Sequence, residues 1–235
     1  MNTQQSTPLR GMTRKLQQFS RDITGIKLEP IVALSSLQTA GAELLSVLSA
    51  ERQSECFFRD LPAEQALTLL AAQLATLNAI QPCSNLFINL PITVFTAPKH
   101  VQQLLQMKTP PLNIEIVDPA HFLTLPPARQ ARAIARLQRL KMAGHRLWLD
   151  DVDEALVQPF LSCRLPLSGI KIDKRAFWRL RTSPALAQHV AQCSQLAAHV
   201  LIEGIETDRD YACALQAGAG YGQGYYWPSW RWPED

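Results

Sequence analysis

Short runs of alternating apolar and polar residues recur along the chain, separated by longer stretches in which apolar residues return every three or four positions. Alternation with period two fits a half-buried strand, and spacing of three and four fits one face of a helix. Strands are expected at 26–34 (IKLEPIVAL), 40–48, 85–90 (NLFINL), 112–117 (LNIEIV), 145–150 (HRLWLD), 168–173 (SGIKID), 199–203 (HVLIE) and 219–226 (AGYGQGYY). The clearest helix is 62–80, where Leu67, Leu70, Leu74 and Leu77 form an apolar face and Pro62 sits near the first turn, where its missing N–H costs least. Further helices are expected at 92–107, 126–143, 174–197 and 206–217, the last opening after Thr207 with Asp208 and Asp210 near its positive end. Strand and helix alternating about eight times points to a barrel or a doubly wound sheet. No glycine-rich phosphate loop follows the first strand, which argues against the dinucleotide-binding form of the latter.

Composition narrows the class. The 235 residues are 47% hydrophobic, too apolar for disorder, and the net charge of +3 does not imply nucleic-acid binding without a concentrated patch. Arg129, Arg132, Arg136 and Arg139 recur at helical spacing but read as the solvated outer face of a helix, so no duplex binding is expected. No apolar run approaches the roughly 20 residues that span a bilayer, and the N-terminus lacks the apolar stretch of a signal peptide. A cytoplasmic protein with no membrane contact is therefore expected. Cys56, Cys83, Cys163, Cys193 and Cys213 show no metal-ligand spacing and read as free thiols, and His121, His145, His189 and His199 share none either. Residues 1–22 are polar and basic, with a short helix within Met12–Phe19, and are taken as a leader or linker remnant ahead of one domain at 23–235.

The ends of the expected strands carry the chemistry. Asn89, Glu115, Asp150, Asp151, Lys171 and Glu203 each stand at or next to the end of an apolar run, and in a parallel barrel those ends meet at one mouth. One polar residue there is ordinary surface punctuation, but five such strands are not. Several oxygen ligands without thiolate or imidazole suit a hard cation such as Mg²⁺ or Mn²⁺. Asp150 and Asp151 are neighbours, and both reach one ion only where the strand ends and the chain turns. The alternative for Asp151 is an N-cap opening a helix at 152–162.

Eight segments in order then resemble the EAL domain of cyclic di-GMP phosphodiesterases. The family pattern reads QPIV, EAL, VNLS, EITE, LDDFGTGYSSL, IKID, AEGVET and QGY. This chain has EPIV (29–32), AELL (42–45), INLP (88–91), EIVD (115–118), LDDVDEALV (149–157), IKID (170–173), IEGIET (202–207) and QGYY (223–226). Between Asp151 and Lys171 lie 19 residues, as in the family, so no gap is needed. The resemblance covers about 26–230 and implies an α/β fold, an EAL-type (βα)8 TIM-like barrel with its first strand antiparallel to the rest.

It further implies a metal-dependent phosphodiesterase that opens cyclic di-GMP to linear pGpG, lowering the level of a bacterial second messenger that governs biofilm and motility. Glu43, Asn89, Glu115 and Asp150 would bind one divalent cation, and Asp150, Asp151 and Glu203 would bind or serve a second, giving two Mg²⁺ or Mn²⁺ per site. Lys171 would hold the attacking water or the phosphate. Glu203 is also viewed as the general base, with Gln223, Glu206 and Asp118 as supporting residues. A homodimer, and fusion to or contact with a regulatory module, are expected on the same ground.

The chain departs from the family pattern at four places, of which the exchange of alanine for Leu44 is apolar for apolar and is discounted. Leu44 replaces the central alanine of EAL, and Val47 stands where many members carry a nucleotide-contacting arginine. The glycine-containing loop FGTGYSSL, which in the family orders the second metal and joins the dimer interface, becomes Val152–Pro159, a segment that also reads as the start of a helix. The chain ends where the family begins a last helix, and Trp227, Trp230 and Trp232 cover either the barrel or a partner interface. The altered loop and Val47 support an alternative, a catalytically inactive EAL module that acts as a cyclic di-GMP receptor or protein-binding regulator.

Overall fold

The computed structural model describes residues 16–49, 58, 61–80 and 84–233. Nine strands occur among them: β1 (Ile23–Ala33), β2 (Thr39–Leu48), β3 (Leu86–Pro91), β4 (Asn113–Val117), β5 (Arg146–Val152), β6 (Gly169–Ile172), β7 (His199–Ile202), β8 (Tyr221–Gly222) and β9 (Trp230–Trp232). From β2 to β8 they lie side by side in chain order and run parallel. β1 closes the ring by pairing antiparallel with both β2 and β8. The result is the expected TIM-like barrel with its first strand reversed.

The helices of two turns or more are α1 (Ala63–Ile80), α3 (Pro98–Gln106), α5 (Pro127–Met142), α6 (Glu154–Cys163), α7 (Lys174–Leu180), α8 (Ala185–Cys193) and α9 (Asp208–Gln216), with short helices α2 (Thr93–Thr96) and α4 (Pro119–Thr124) among them. Leu67, Leu70, Leu74 and Leu77 of α1 are all buried, as their spacing requires. Thr207 caps α9 in a reciprocal box with Asp210. The expected helix 92–107 divides into α2 and α3 at Ala97, and 174–197 divides into α7 and α8 around Ser183. Both breaks precede a proline, which disfavours helical backbone in the residue before it. Helix α4 was not expected, and of the strand foreseen at 219–226 only Tyr221–Gly222 is regular strand.

β9 was also unforeseen. It pairs with Ile26–Leu28 of β1, burying Trp232, while Trp227 and Trp230 pack against the same core. The tryptophan cluster therefore covers the barrel. Leu16 is fully buried and Phe19 packs beside it, ahead of β1. Arg136 donates to the carbonyls of Phe95 and Thr96 at 3.2 and 2.8 Å, fastening α5 to α2, while Arg129, Arg132 and Arg139 face solvent. Cys163, Cys193 and Cys213 are free, as expected, and Cys56 and Cys83 lie outside the described residues. No described helix is long and apolar enough to cross a membrane.

Two apolar regions support the barrel. One lies between strands and helices; the other is a separate cluster of Ile31, Phe87, Trp148 and Leu201, with Tyr221 packed against it. Phe87, Trp148, Leu201 and Tyr221 stand two residues before Asn89, Asp150, Glu203 and Gln223, and on the reversed strand β1 Ile31 stands two residues after Glu29. Because side chains repeat with period two along a strand, the polar residues form the next interior layer above this one. Asn113, two before Glu115, accepts from Trp148 Nε1 at 3.1 Å. A floor of packed aromatic and aliphatic side chains thus sets the height of the polar layer.

Candidate active site

The polar layer centres on Lys171, which is 1% exposed. Its Nζ lies 2.8 Å from Glu203 Oε1, 3.1 Å from Glu115 Oε1, and 3.3 Å from both Glu43 Oε2 and Asp150 Oδ1. These five residues come from β2, β4, β5, β6 and the end of β7. Around Glu43, Asn89 Nδ2 donates to Oε1 at 2.5 Å and Gln223 Nε2 to Oε2 at 2.6 Å. Asn89 pairs in register with Glu115 across β3 and β4, so the two side chains lie side by side.

Asp151 joins the cluster through an irregularity in β5. Pairing with β6 shifts between Leu149 and Val152, and Asp151 takes a left-handed conformation with φ of 51°. A bulge of this kind re-aims a side chain that would otherwise point outward. One carboxylate oxygen from each of Asp150, Asp151 and Glu203 lies within 4.8 Å of the others. The sequence condition for two adjacent aspartates to act together, a turn at the strand end, is met. Asp151 does not cap the following helix: Asp153 does, accepting from the N–H groups of Ala155 and Leu156.

Electrostatics in this layer follow from burial and crowding. Burial raises Glu115, and the Glu43 carboxylate adds to it, leaving the group well above the usual carboxylate range despite Lys171. Burial likewise raises Asp150. Glu203 is pushed up to about 8 by burial, with Lys171 opposing and Asp150 and Glu43 adding. Asp151, though partly exposed, is pushed up to about 7 by enclosure and by Asp150. Burial also acts to raise Glu43, but Lys171 and the hydrogen bonds from Gln223 and Asn89 outweigh it and hold that carboxyl low. Lys171 stays firmly charged, because four carboxylates overcome its burial.

Five carboxylates against one ammonium leave a surplus of negative charge in an enclosed space, which ordinarily demands further cations or bound protons. The donors fit a hard divalent cation. All are oxygens, and the buried Asn89 Oδ1, Glu115 Oε2 and Gln223 Oε1 have no hydrogen-bond partner. A cavity of about 510 Å³ opens beside them, lined by Asn89, Asp150, Asp151 and Glu203, by Asp118 and Asp173, and by an apolar wall that includes Leu44, Leu45 and Leu61.

Of the residues foreseen, the fold therefore gathers Glu43, Asn89, Glu115, Asp150, Asp151, Lys171, Glu203 and Gln223. Asp118 stands at the cavity rim, with φ of 52° ahead of α4. Glu206 is exposed, and its backbone N–H donates to Asp210. Two residues were missed. Glu29 faces Glu43 across β1 and β2 and accepts from Gln223 at 3.2 Å, and Lys27 pairs with Glu29. The period-two spacing of 27, 29 and 31 in β1 was the available signal.

Of the segment Val152–Pro159, Val152 ends β5 and the rest, from the cap Asp153, folds as the start of α6. Its added charges are engaged: Asp153 caps the helix and Glu154 pairs with Arg179 of α7 at 2.6 Å.

The comparisons agree with this architecture. Over 99 residues the chain is 27% identical to the cyclic di-GMP phosphodiesterase RocR of Pseudomonas aeruginosa, covering 40% of this chain and 25% of that protein, about a quarter of its length. The EAL domain of Xanthomonas citri FimX, solved in complex with c-diGMP, matches with a TM-score of 0.69 at 14% identity over 94% of each chain. The PaMucR phosphodiesterase, solved as its c-di-GMP complex, matches with a TM-score of 0.66 at 19% identity over 92% of this chain and 95% of that one. With the EAL domain profile matching residues 14–229, from ahead of β1 through Gln223 to the approach to β9, this chain belongs to the EAL domain family.

Proposed function

We propose that the chain is a metal-dependent phosphodiesterase that hydrolyses cyclic di-GMP to linear pGpG, lowering this second messenger in the bacterial cytoplasm. The observation that carries this reading is the convergence of Glu43, Glu115, Asp150 and Glu203 on the buried Lys171 ammonium, with Asn89, Asp151 and Gln223 beside them. Glu43, Asn89, Glu115 and Asp150 would hold one Mg²⁺ or Mn²⁺, and Asp150, Asp151 and Glu203 a second. When bound, such ions neutralise phosphoryl charge and make water acidic enough to attack near neutral pH.

The chain's own groups supply the rest. Lys171 holds the carboxylates in one arrangement and presents an N–H donor to the attacked phosphate or to the incoming water. Glu203, least enclosed of the four carboxylates around Lys171, accepts the proton released as water adds to phosphorus. The bond from phosphorus to a ribose 3′ oxygen breaks, that oxygen takes up a proton, and the ring opens to pGpG. Gln223 and Asn89 fix Glu43, and Asp118 and Glu206 act as support at the rim and beyond it. A homodimer and a regulatory module, fused or in contact, belong to the same proposal.

A second reading, a nucleotide receptor without turnover, is favoured by one observation: Asp153–Pro159 is committed to the capped start of α6. The test separates the two. Purified chain is incubated with cyclic di-GMP and Mn²⁺ or Mg²⁺, and pGpG is followed by chromatography with Glu43→Ala as control. Product that disappears in the variant is expected; bound but intact nucleotide selects the receptor.

A further inference from the structure

The wall of the mouth cavity opposite Asp151 and Asp173 is formed by β1 and β2, which pair with Glu29 opposite Glu43 and Lys27 opposite Leu45. Directly opposed residues in an antiparallel pair point to the same side, so Lys27, Glu29 and Glu43 share one face. Lys27 lines the cavity that also holds Asp150, Asp151 and Glu203, with a side chain 19% exposed. Its ammonium pairs with Glu29, which accepts from Gln223, which donates to Glu43. This relay holds a cation on the same face as Glu43.

Charge decides what that cation is for. A cyclic dinucleotide carries two phosphodiesters, each with one negative charge, on a single ring. When one of them sits at the carboxylate cluster, the other lies elsewhere in the cavity. Lys171 does not serve it, because its ammonium lies at the centre of the carboxylate cluster, beside the first phosphate. Position 47, where a basic residue on the next rung of β2 would serve, is a valine. Lys27 stands one rung nearer the cluster on the facing strand, and Leu45 and Leu61 line the same cavity with apolar side chains on which a purine can rest.

We propose that Lys27 holds the second, uncleaved phosphate of the cyclic dinucleotide and so sets affinity for the ring without entering the bond-breaking step. The proposal rests on the cyclic di-GMP reading of the same mouth. Its test compares KM and kcat for cyclic di-GMP with those for bis(p-nitrophenyl) phosphate, a diester that lacks a second phosphate. Removing one charge-assisted contact corresponds to a loss of ~10-fold or more in affinity. Lys27→Met is expected to raise KM for cyclic di-GMP by that factor with kcat unchanged, to leave the small diester unaffected, and to be rescued by Lys27→Arg.

Because Lys27→Met strips Glu29 of its partner, Lys27→Met/Glu29→Gln is measured as well. A KM that stays high in the double variant supports a direct phosphate contact. A KM restored in the double variant, an unchanged KM in the single one, or an equal loss on both substrates overturns it. If the wild type binds cyclic di-GMP without hydrolysing it, the phosphodiesterase reading fails alone, and the same comparison is read from the dissociation constants. A wild type that does not bind the nucleotide overturns both.

Discussion

Gly169 on β6 and Trp148 on β5 are paired in register, and the indole of Trp148 occupies the space that a side chain on Gly169 would need. This is a close approach that only glycine permits. The same indole belongs to the cluster under the polar layer, and Lys171 follows Gly169 by two residues. The floor and the central ammonium are therefore mechanically connected. Gly169→Ala is expected to destabilise the fold by ~1–3 kcal/mol through overpacking, and to weaken cyclic di-GMP turnover as Trp148 shifts beneath Asp150. Denaturant unfolding measures the first, and an unchanged midpoint would contradict this packing.

Among the described residues, Lys171 is the only cation at the cluster centre. Removing one side of a buried ionic arrangement leaves unpaired charge, at ~3–5 kcal/mol. Lys171→Met is expected to lose stability of that order in metal-free buffer and to recover more of it on adding Mn²⁺ than the wild type gains, because a divalent cation then has less competition. Urea unfolding with and without Mn²⁺ checks this; equal responses in the two proteins would refute the competition.

The capping box of α9 yields a pH dependence away from the site. Burial acts to raise Asp210, but hydrogen bonds from Thr207 and Glu206, with the nearby Arg181 guanidinium, outweigh it and hold the carboxyl below its ordinary 3.8. A depressed folded value means that the contribution to stability is complete above the unfolded value and fades as pH falls through the folded one. Asp210→Asn should therefore cost ~1 kcal/mol at neutral pH, and its deficit should narrow below pH 4. Thermal unfolding across pH measures the gap; a constant deficit would show that charge plays no part.

Much of the site was legible because its residues end apolar runs. Asn89, Glu115, Asp150, Lys171 and Glu203 interrupt buried strands where interior packing gives way to the mouth, and a polar residue there marks itself. Glu29 and Lys27 were not legible in the same way: they lie within an alternating strand, and their meaning depends on the antiparallel pairing that sets Glu29 against Glu43. β9 escaped because Trp-Arg-Trp is three residues long and is a strand only by leaning on β1. The breaks at Ala97 and Ser183 were visible in the prolines that follow them, but helical periodicity continues across both and masked them. Asp151 was open to two readings until the bulge in β5 turned it toward Asp150.

Hydrolysis of cyclic di-GMP by this carboxylate layer is tested most directly by turnover on metal-stripped protein, with and without Mn²⁺, beside equilibrium nucleotide binding and the Asp150→Asn variant. pGpG is expected only when Mn²⁺ is present, with the product lost in Asp150→Asn while the variant stays folded. Cyclic di-GMP that binds the wild type at saturating Mn²⁺ and is recovered intact would contradict it.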